Sequence, residues 1–372
     1  MQLLKSAHIE EGTKVLVRVD FNVPVKDGAL VDTFRIEKAL PTINFLLEKK
    51  ALVILVSHIE NDEGETLLPV SEFLKQKGLP VTFVKESDLT IIKGGVAKAQ
   101  SGEIVLLENI RRFKEEKEND ENFAKELAAL ANLYVNDAFA VSHRVHASVV
   151  GIPKFLPHYA GFLVEKEVTE LSHAFNPTHP FLFILGGAKF ETKEPLIKKF
   201  LEVADRVFVG GALGNDFFKV KGYEIGGSIV SGKMPEEEVV TNEKLLLPSD
   251  VVVRGSDGRR VLRTPTEILP NEIVSDAGSH TLEVLREHIM SAKLVLWNGP
   301  LGFYEKGYDH ATKAVATMLS ESSARSIVGG GDTIAAIESL GLTDRLSFIS
   351  TGGGAMLDFL ANGTLVGIEA LK

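Results

Sequence analysis

No cysteine occurs among the 372 residues, which excludes disulfides, thiolate metal sites and cysteine nucleophiles. Positive charge is also in short supply. Forty-one Lys and Arg stand against 51 Asp and Glu, a formal net charge of -10, and this argues against nucleic-acid or acidic-membrane binding, which needs a basic surface. No apolar run approaches the length of a membrane span, and the chain turns acidic at Glu10 and Glu11 without a signal-peptide core before them. A soluble, cytoplasmic protein is expected. Several motifs are missing as well. Without G-x-x-x-x-G-K-[ST] there is no P-loop, and without G-x-G-x-x-G after a strand a dinucleotide dehydrogenase is disfavoured. Neither H-E-x-x-H nor G-x-S-x-G occurs.

What is present is a repeated pattern of short apolar runs that end in polar or glycine residues. In the first half Val15 to Val19 leads to Asp20 and Asn22, Ala51 to Val56 to Ser57 and His58, Ile104 to Leu107 to Glu108, and Leu133 to Val135 to Asn136 and Asp137. Between them Phe34 to Leu47 and Phe123 to Leu130 have helical periodicity. Continuous runs of this kind predict parallel strands covered on both faces, hence an α/β domain with its ligands beyond the carboxyl ends of the strands. Residues 160 to 174 read as one connecting helix, closed by Asn176-Pro177. A second α/β domain follows, with glycine at the strand ends: Gly186-Gly187, Gly210-Gly211, Asp276-Ala277-Gly278, Asn298-Gly299-Pro300 and Gly352 to Gly354. Gly255 to Arg260 reads as a hairpin turn. The run Lys114 to Glu126 reads as a solvated face without a function.

The most informative stretch is Ile327-Val328-Gly329-Gly330-Gly331-Asp332-Thr333, an apolar strand running through three glycines into a helix start. Backbone N–H groups there suit a phosphate, with a divalent cation bridging it to Asp332. Alternatively Asp332 is an N-cap and the glycines serve packing. Near the strand ends of the first half collect Arg18, Arg35, His58, Arg111 or Arg112, His143, Arg144 and His146, which composition does not explain in an acidic chain. An anion-binding face is the favoured reading, because the guanidinium fork matches carboxylate and phosphate. Asp20 and Asn22 would orient hydroxyls. In the second half Lys189 and Lys193 flank a glycine turn, and Pro195 suggests that Lys193 precedes regular helix. These two cations either share an anion or are solvated. Glu305 is placed to accept from a ribose, or else belongs to the surface.

Taken together, RVDFNVP (Arg18 to Pro24), LLENIR (Leu106 to Arg111), VNDAFAVSHRVHAS (Val135 to Ser148), GGAK (Gly186 to Lys189), WNGPLGFYE (Trp297 to Glu305), GGGDT (Gly329 to Thr333) and STGGGA (Ser350 to Ala355) give a chain that resembles the phosphoglycerate kinases over essentially its whole length. The resemblance implies two Rossmann-like domains with parallel sheets, joined by an interdomain helix and closing about a hinge. The implied pieces are 1–158 for 3-phosphoglycerate, 159–176 for the helix, 177–354 for the nucleotide, and a tail, 355–372, returning to the first domain. It implies reversible phosphoryl transfer between 1,3-bisphosphoglycerate and magnesium-ADP by a monomer.

By the same resemblance the acid side comprises Arg18, Asp20, Asn22, Arg35, His58, Arg111, His143, Arg144 and His146, with Arg35 closest to the group in transfer. The nucleotide side comprises Gly186, Gly187, Lys189, Gly210, Gly211, Asn298, Glu305 and Gly329 to Gly331, with Lys193 on the phosphoryl group. Asp332 would hold Mg2+, while Thr333 and the amides of Gly353 and Gly354 would cradle phosphates or the transition state. One departure matters: where the family reads Ser-His-Leu-Gly-Arg-Pro, this chain has Ser57-His58-Ile59-Glu60-Asn61-Asp62, losing an arginine and gaining acidic charge. The alternatives are therefore a kinase of this fold with an altered small acid or weakened activity, or a non-catalytic scaffold.

Overall fold

The computed structural model describes residues 1–60, 66–188 and 190–372, so Asn61, Asp62 and Lys189 lie outside the described residues. The chain divides into two compact units, Met1–Thr169 with Thr364–Lys372, and Glu170–Gly363. The helix Phe162–Ser172 spans the boundary. The helix Gly353–Asn362, expected in the tail, falls in the second unit, and only the segment from Thr364 onward belongs to the first.

The first unit is built on a six-stranded sheet made of β1 (Lys14–Arg18), β4 (Leu52–Val56), β5 (Val81–Val84), β6 (Ile104–Leu107), β7 (Leu133–Asn136) and β8 (His158–Ala160), in the order β5-β6-β4-β1-β7-β8. A small hairpin, β2 (Val25–Lys26) and β3 (Ala29–Leu30), stands apart from it. Every pairing in the large sheet is parallel. Leu52 to Val56 are all buried, as expected where helices cover both faces. One such cover is the helix Phe34–Glu48, whose Ile36, Ala39, Ile43 and Leu46 recur at helical spacing and enter the core under β1 and β4. The chain leaves β1 for β4 on one side and later returns to β7 on the other. That reversal of strand order opens a crevice beyond the carboxyl end of β1.

The second unit has its own parallel sheet, β11-β10-β9-β15-β16-β17, from β9 (Phe181–Leu185), β10 (Arg206–Val209), β11 (Leu245–Leu246), β15 (Leu294–Asn298), β16 (Arg325–Gly329) and β17 (Phe348–Ile349). The Asp257-Gly258 turn joins β12 (Val251–Arg254) to β13 (Arg260–Arg263) as a hairpin, as the sequence suggests. Ile273 to Ala277 differs from the reading as one more parallel repeat. As β14 it pairs antiparallel with β12, in a separate three-stranded sheet.

Candidate functional site

In the first unit Arg18, Arg35, His58, Arg111, Arg144 and His146 meet at the crevice beyond β1. Arg18 is fully buried: its Nε donates to Ser148 Oγ at 2.8 Å, and its Nη2 lies 3.3 Å from His58 Nδ1. Asp20 Oδ2 accepts from Arg35 at 3.2 Å, while its Oδ1 lies 3.6 Å from His58. Arg35 also donates to the carbonyl of Asn22 at 2.9 Å, and Asn22 Oδ1 accepts from the Glu60 amide at 2.9 Å. Arg144 is exposed and His143 and His146 are half-buried on the loop that follows β7. Burial first, then the charges of Arg18, Arg111, Arg144 and Arg35, hold His58 far below the ordinary imidazole range. Burial, Arg111, Arg18 and Arg144 likewise push His146 down to about 4. Both rings are therefore neutral at neutral pH, and four guanidiniums converge on one small region. Bringing these groups together costs Coulomb energy that an anionic ligand would relieve.

Whether Arg111 or Arg112 faces this region is answered by their partners. The Arg111 side chain is buried and pairs with Glu60, whereas Arg112 turns back to Glu108 at 3.4 Å. The run from Lys114, read as a solvated face, needs correcting at Glu116. This residue is fully buried, accepts from the Ser148 amide at 2.8 Å and from the Ser148 hydroxyl at 2.5 Å, and lies 3.7 Å from His146. Glu116 thus supports Arg18 through Ser148. Its sequence neighbours, half-buried Glu115 and exposed Lys117, are charged as well, so only the distant partner distinguishes it.

In the second unit the glycine turns pack backbone against backbone. The Gly186 amide donates to the Asn298 carbonyl and the Gly187 amide to the Pro300 carbonyl, each at 2.8 Å. A Cβ on Gly186 would stand 2.3 Å from the Pro300 oxygen, so no side chain fits there. Above these turns opens a cavity of about 320 Å³. Gly187, Gly211, Pro300, Glu305 and Asp332 line it, opposite apolar walls that include Phe218, Ile229, Ile273 and Phe303. A cavity so lined suits a largely apolar ligand that also carries polar groups.

Other expected residues sit beneath or beside the cavity. Asn298 is buried with its amide 3.6 Å from Met356 Sδ, and a Cβ on Gly210 would meet the Phe208 ring. A Cβ on Gly329 would also meet Met356, and Gly353 approaches Gly330, which has φ +103°. The Gly329 to Gly331 and Gly352 to Gly354 turns are therefore neighbours. Thr333 Oγ1 is buried there without a hydrogen-bond partner among the described residues.

Asp332 does not cap its helix. Gly330 holds the N-cap position of Gly331–Ser339, and Asp332 lies in the first turn. Burial, then the charge of Glu305, raises its carboxyl above the ordinary range. Lys193 also differs from expectation: the helix begins at Phe190, so Lys193 and Pro195 are both inside it. The Lys193 ammonium is buried and donates to the Gly186 carbonyl at 2.7 Å.

The oxygen-only donors here fit a hard divalent cation. A crowded carboxylate pair and an unpartnered hydroxyl beside glycine amides suit a cation carried by phosphate oxygens. No cluster of three or more His, Cys, Asp or Glu suited to a metal occurs among the described residues. Asp276, read from the sequence only as part of a glycine-ended strand and not as a site residue, lines the cavity, accepts from the Ala277 and Ala311 amides, and is pushed up to about 7, chiefly by burial. No helix among the described residues is long and apolar enough to cross a membrane.

Comparison with known proteins gives one consistent result. The family model described as phosphoglycerate kinase matches residues 5–363. Phosphoglycerate kinases of Dictyoglomus turgidum and Rubrobacter xylanophilus are 41% and 42% identical to the chain, over 97% of it and 96% and 95% of their own lengths. The solved phosphoglycerate kinase of Coxiella burnetii aligns with TM-score 0.83 at 34% identity, covering 99% of this chain and 98% of that one. The Pyrococcus horikoshii enzyme aligns with TM-score 0.86 at 30% identity, covering 100% and 98%.

Proposed function

Because the chain belongs to the phosphoglycerate kinase family and catalyses reversible phosphoryl transfer between 1,3-bisphosphoglycerate and ADP, we propose that its arginine face holds the acid and its glycine-lined cavity the magnesium nucleotide. The observation that carries this assignment is the gathering of four guanidiniums, Arg18, Arg35, Arg111 and Arg144, around His58 at the crevice beyond β1, a mutual repulsion that a bound anion relieves. Arg18, Asp20, Asn22, Arg35, His58, Arg111, His143, Arg144 and His146 form the acid side, with Arg35 next to the group in transfer. Asp20 and Asn22 hold the Arg35 guanidinium in place.

On the nucleotide side Lys189, Lys193 and the turns at Gly186, Gly210, Gly329 and Gly353 surround the phosphates. Lys193 stabilises charge on the moving phosphoryl group, and the amides of Gly353 and Gly354 share that task. Glu305 accepts from the ribose, and the apolar walls take the base. Asp332 would hold Mg2+, which supplies positive charge to the phosphate oxygens when bound. No protein nucleophile is required, because alignment and charge neutralisation carry an in-line transfer. The working form is a monomer whose acid-binding unit is Met1–Thr169 with Thr364–Lys372 and whose nucleotide-binding unit is Glu170–Gly363, with the helix Phe162–Ser172 across their boundary.

Calorimetric titration of each ligand into two variants tests the assignment. Arg144→Ala should weaken 3-phosphoglycerate about tenfold and leave Mg-ADP unchanged. Asp332→Ala should weaken Mg-ADP by roughly 10- to 100-fold and leave the acid unchanged. Exchange of the two effects, or no effect of either change, would refute it.

A further inference from the structure

Glu60 puts a negative charge into the arginine face from within the chain. Its backbone has a firm support. Ile59 before it is fully buried, with its carbonyl accepting from Asn109 Nδ2 at 2.8 Å, and the Glu60 amide donates to Asn22 Oδ1 at 2.9 Å. From this anchored position the Glu60 carboxylate forms an ion pair with Arg111 and lies 3.6 Å from Lys117 Nζ.

The two partners are unequal. The Arg111 side chain is 2% exposed, and among the described residues its guanidinium nitrogens have no acceptor apart from this carboxylate. The Glu60 side chain is 44% exposed. A buried cation needs a counter-ion, whereas a half-exposed carboxylate regains water when it swings away. The cation is therefore the fixed member of the pair, and the anion is the one that can be replaced. Partial burial favours the neutral acid, but the Arg111 hydrogen bond and the charges of Arg111, Lys117 and Arg144 outweigh it and keep Glu60 below the ordinary carboxyl range. Glu60 is thus ionised at neutral pH.

We propose that Glu60 is an internal competitor for the Arg111 position, which the acid substrate must displace, and that it thereby sets both the affinity for the acid and the selectivity among anions. This rests on the reading of the arginine face as the acid site. Replacing one carboxylate by another at Arg111 exchanges like for like and gains little. A doubly charged phosphate ester gains more from the same guanidinium, and Arg18, Arg35 and Arg144 add to that gain. Glu60 therefore rejects singly charged acids more strongly than phosphate esters.

Steady-state kinetics with 3-phosphoglycerate and ATP, on wild type, Glu60→Gln and Arg111→Met, separate the possibilities. Glu60→Gln keeps the shape and removes the charge. It should lower KM for 3-phosphoglycerate roughly two- to fivefold, the scale of a partly exposed ion pair, with KM for ATP and kcat unchanged. Inhibition by acetate, the singly charged probe, should tighten in the same variant. Inorganic phosphate should raise Tm more in Glu60→Gln than in wild type, since the vacated guanidinium then has no internal partner.

Arg111→Met should raise KM for the acid, and Arg111→Lys takes its place if the methionine variant does not fold. An acid KM unchanged or raised in Glu60→Gln, beside a raised KM in the Arg111 variant, would overturn the competitor role and leave the acid site standing. An Arg111 variant with unaltered acid KM would refute the acid-site reading, and the competitor role with it.

Discussion

The two units hold their candidate ligands by opposite means. The crevice of the first unit is made of side chains: burial, then the charges of Arg18, Arg111, Arg144 and Arg35, lower the proton affinity of His58, and buried Glu116 and Asp20 offset part of the Arg18 charge. The cavity of the second unit has a floor of main chain, where the Gly186, Gly211 and Gly299 turns touch one another, under apolar walls. The first pays for its charges in repulsion and desolvation; the second is stiff because its backbone groups satisfy each other. Function in the first unit should thus follow charge, and in the second it should follow shape.

The largest expected effect tests the charged side. Arg35→Ala should lower kcat by about 10²- to 10³-fold, the scale of losing one donor aimed at developing charge, with nucleotide affinity preserved. Turnover within a few-fold of wild type would remove Arg35 from the catalytic assignment. Next comes the backbone-built side. Gly186→Ala adds only a methyl group, but it lands 2.3 Å from the Pro300 carbonyl oxygen. It should destabilise the protein by about 1–3 kcal/mol, as overpacking does, and raise KM for ATP while sparing the acid. A variant with unchanged melting and unchanged KM would show that the turns yield easily.

The smallest effect on activity is expected at Asp137, which belongs to the charged unit but carries a different message. Burial raises its carboxyl to about 7, against hydrogen bonds from Thr42 and the Leu163 and Val164 amides. The folded state then keeps this proton up to about pH 7, whereas the unfolded chain releases it near the ordinary aspartate value of 3.8. Across that window the native state binds more protons, so this group's contribution to stability falls as pH rises. Asp137→Asn does not titrate. The Tm difference, variant minus wild type, should therefore grow from pH 4 to pH 7. A flat difference would mean that the hydrogen bonds cancel the burial.

What was legible in the sequence follows from the same contrast. Parallel strands covered on both sides leave unbroken apolar runs such as Leu52 to Val56, and glycine turns are visible because only glycine fits them. The antiparallel trio was obscured because β13 is largely exposed and β12 alternates, so neither reads as a buried run. Pro195 misled because proline is commonest in a first helical turn, while here the helix starts at Phe190. Glu116 was invisible for another reason: its partner Ser148 is 32 residues away, and nothing local marks one acidic residue in an acidic run as buried. The same holds for the Glu60 to Arg111 pair, which the sequence suggests only as extra negative charge nearby.

A binding floor composed of peptide units has few handles for selection to grip. Substituting around Gly186 or Gly299 breaks the turn before it can retune it, because the nearest atoms are other main-chain atoms. If the cavity holds the nucleotide as proposed, redesign toward a different nucleobase must work through Phe218, Ile229, Ile273 and Phe303, where a change of side-chain volume alters the apolar walls and leaves the glycine turns as they are.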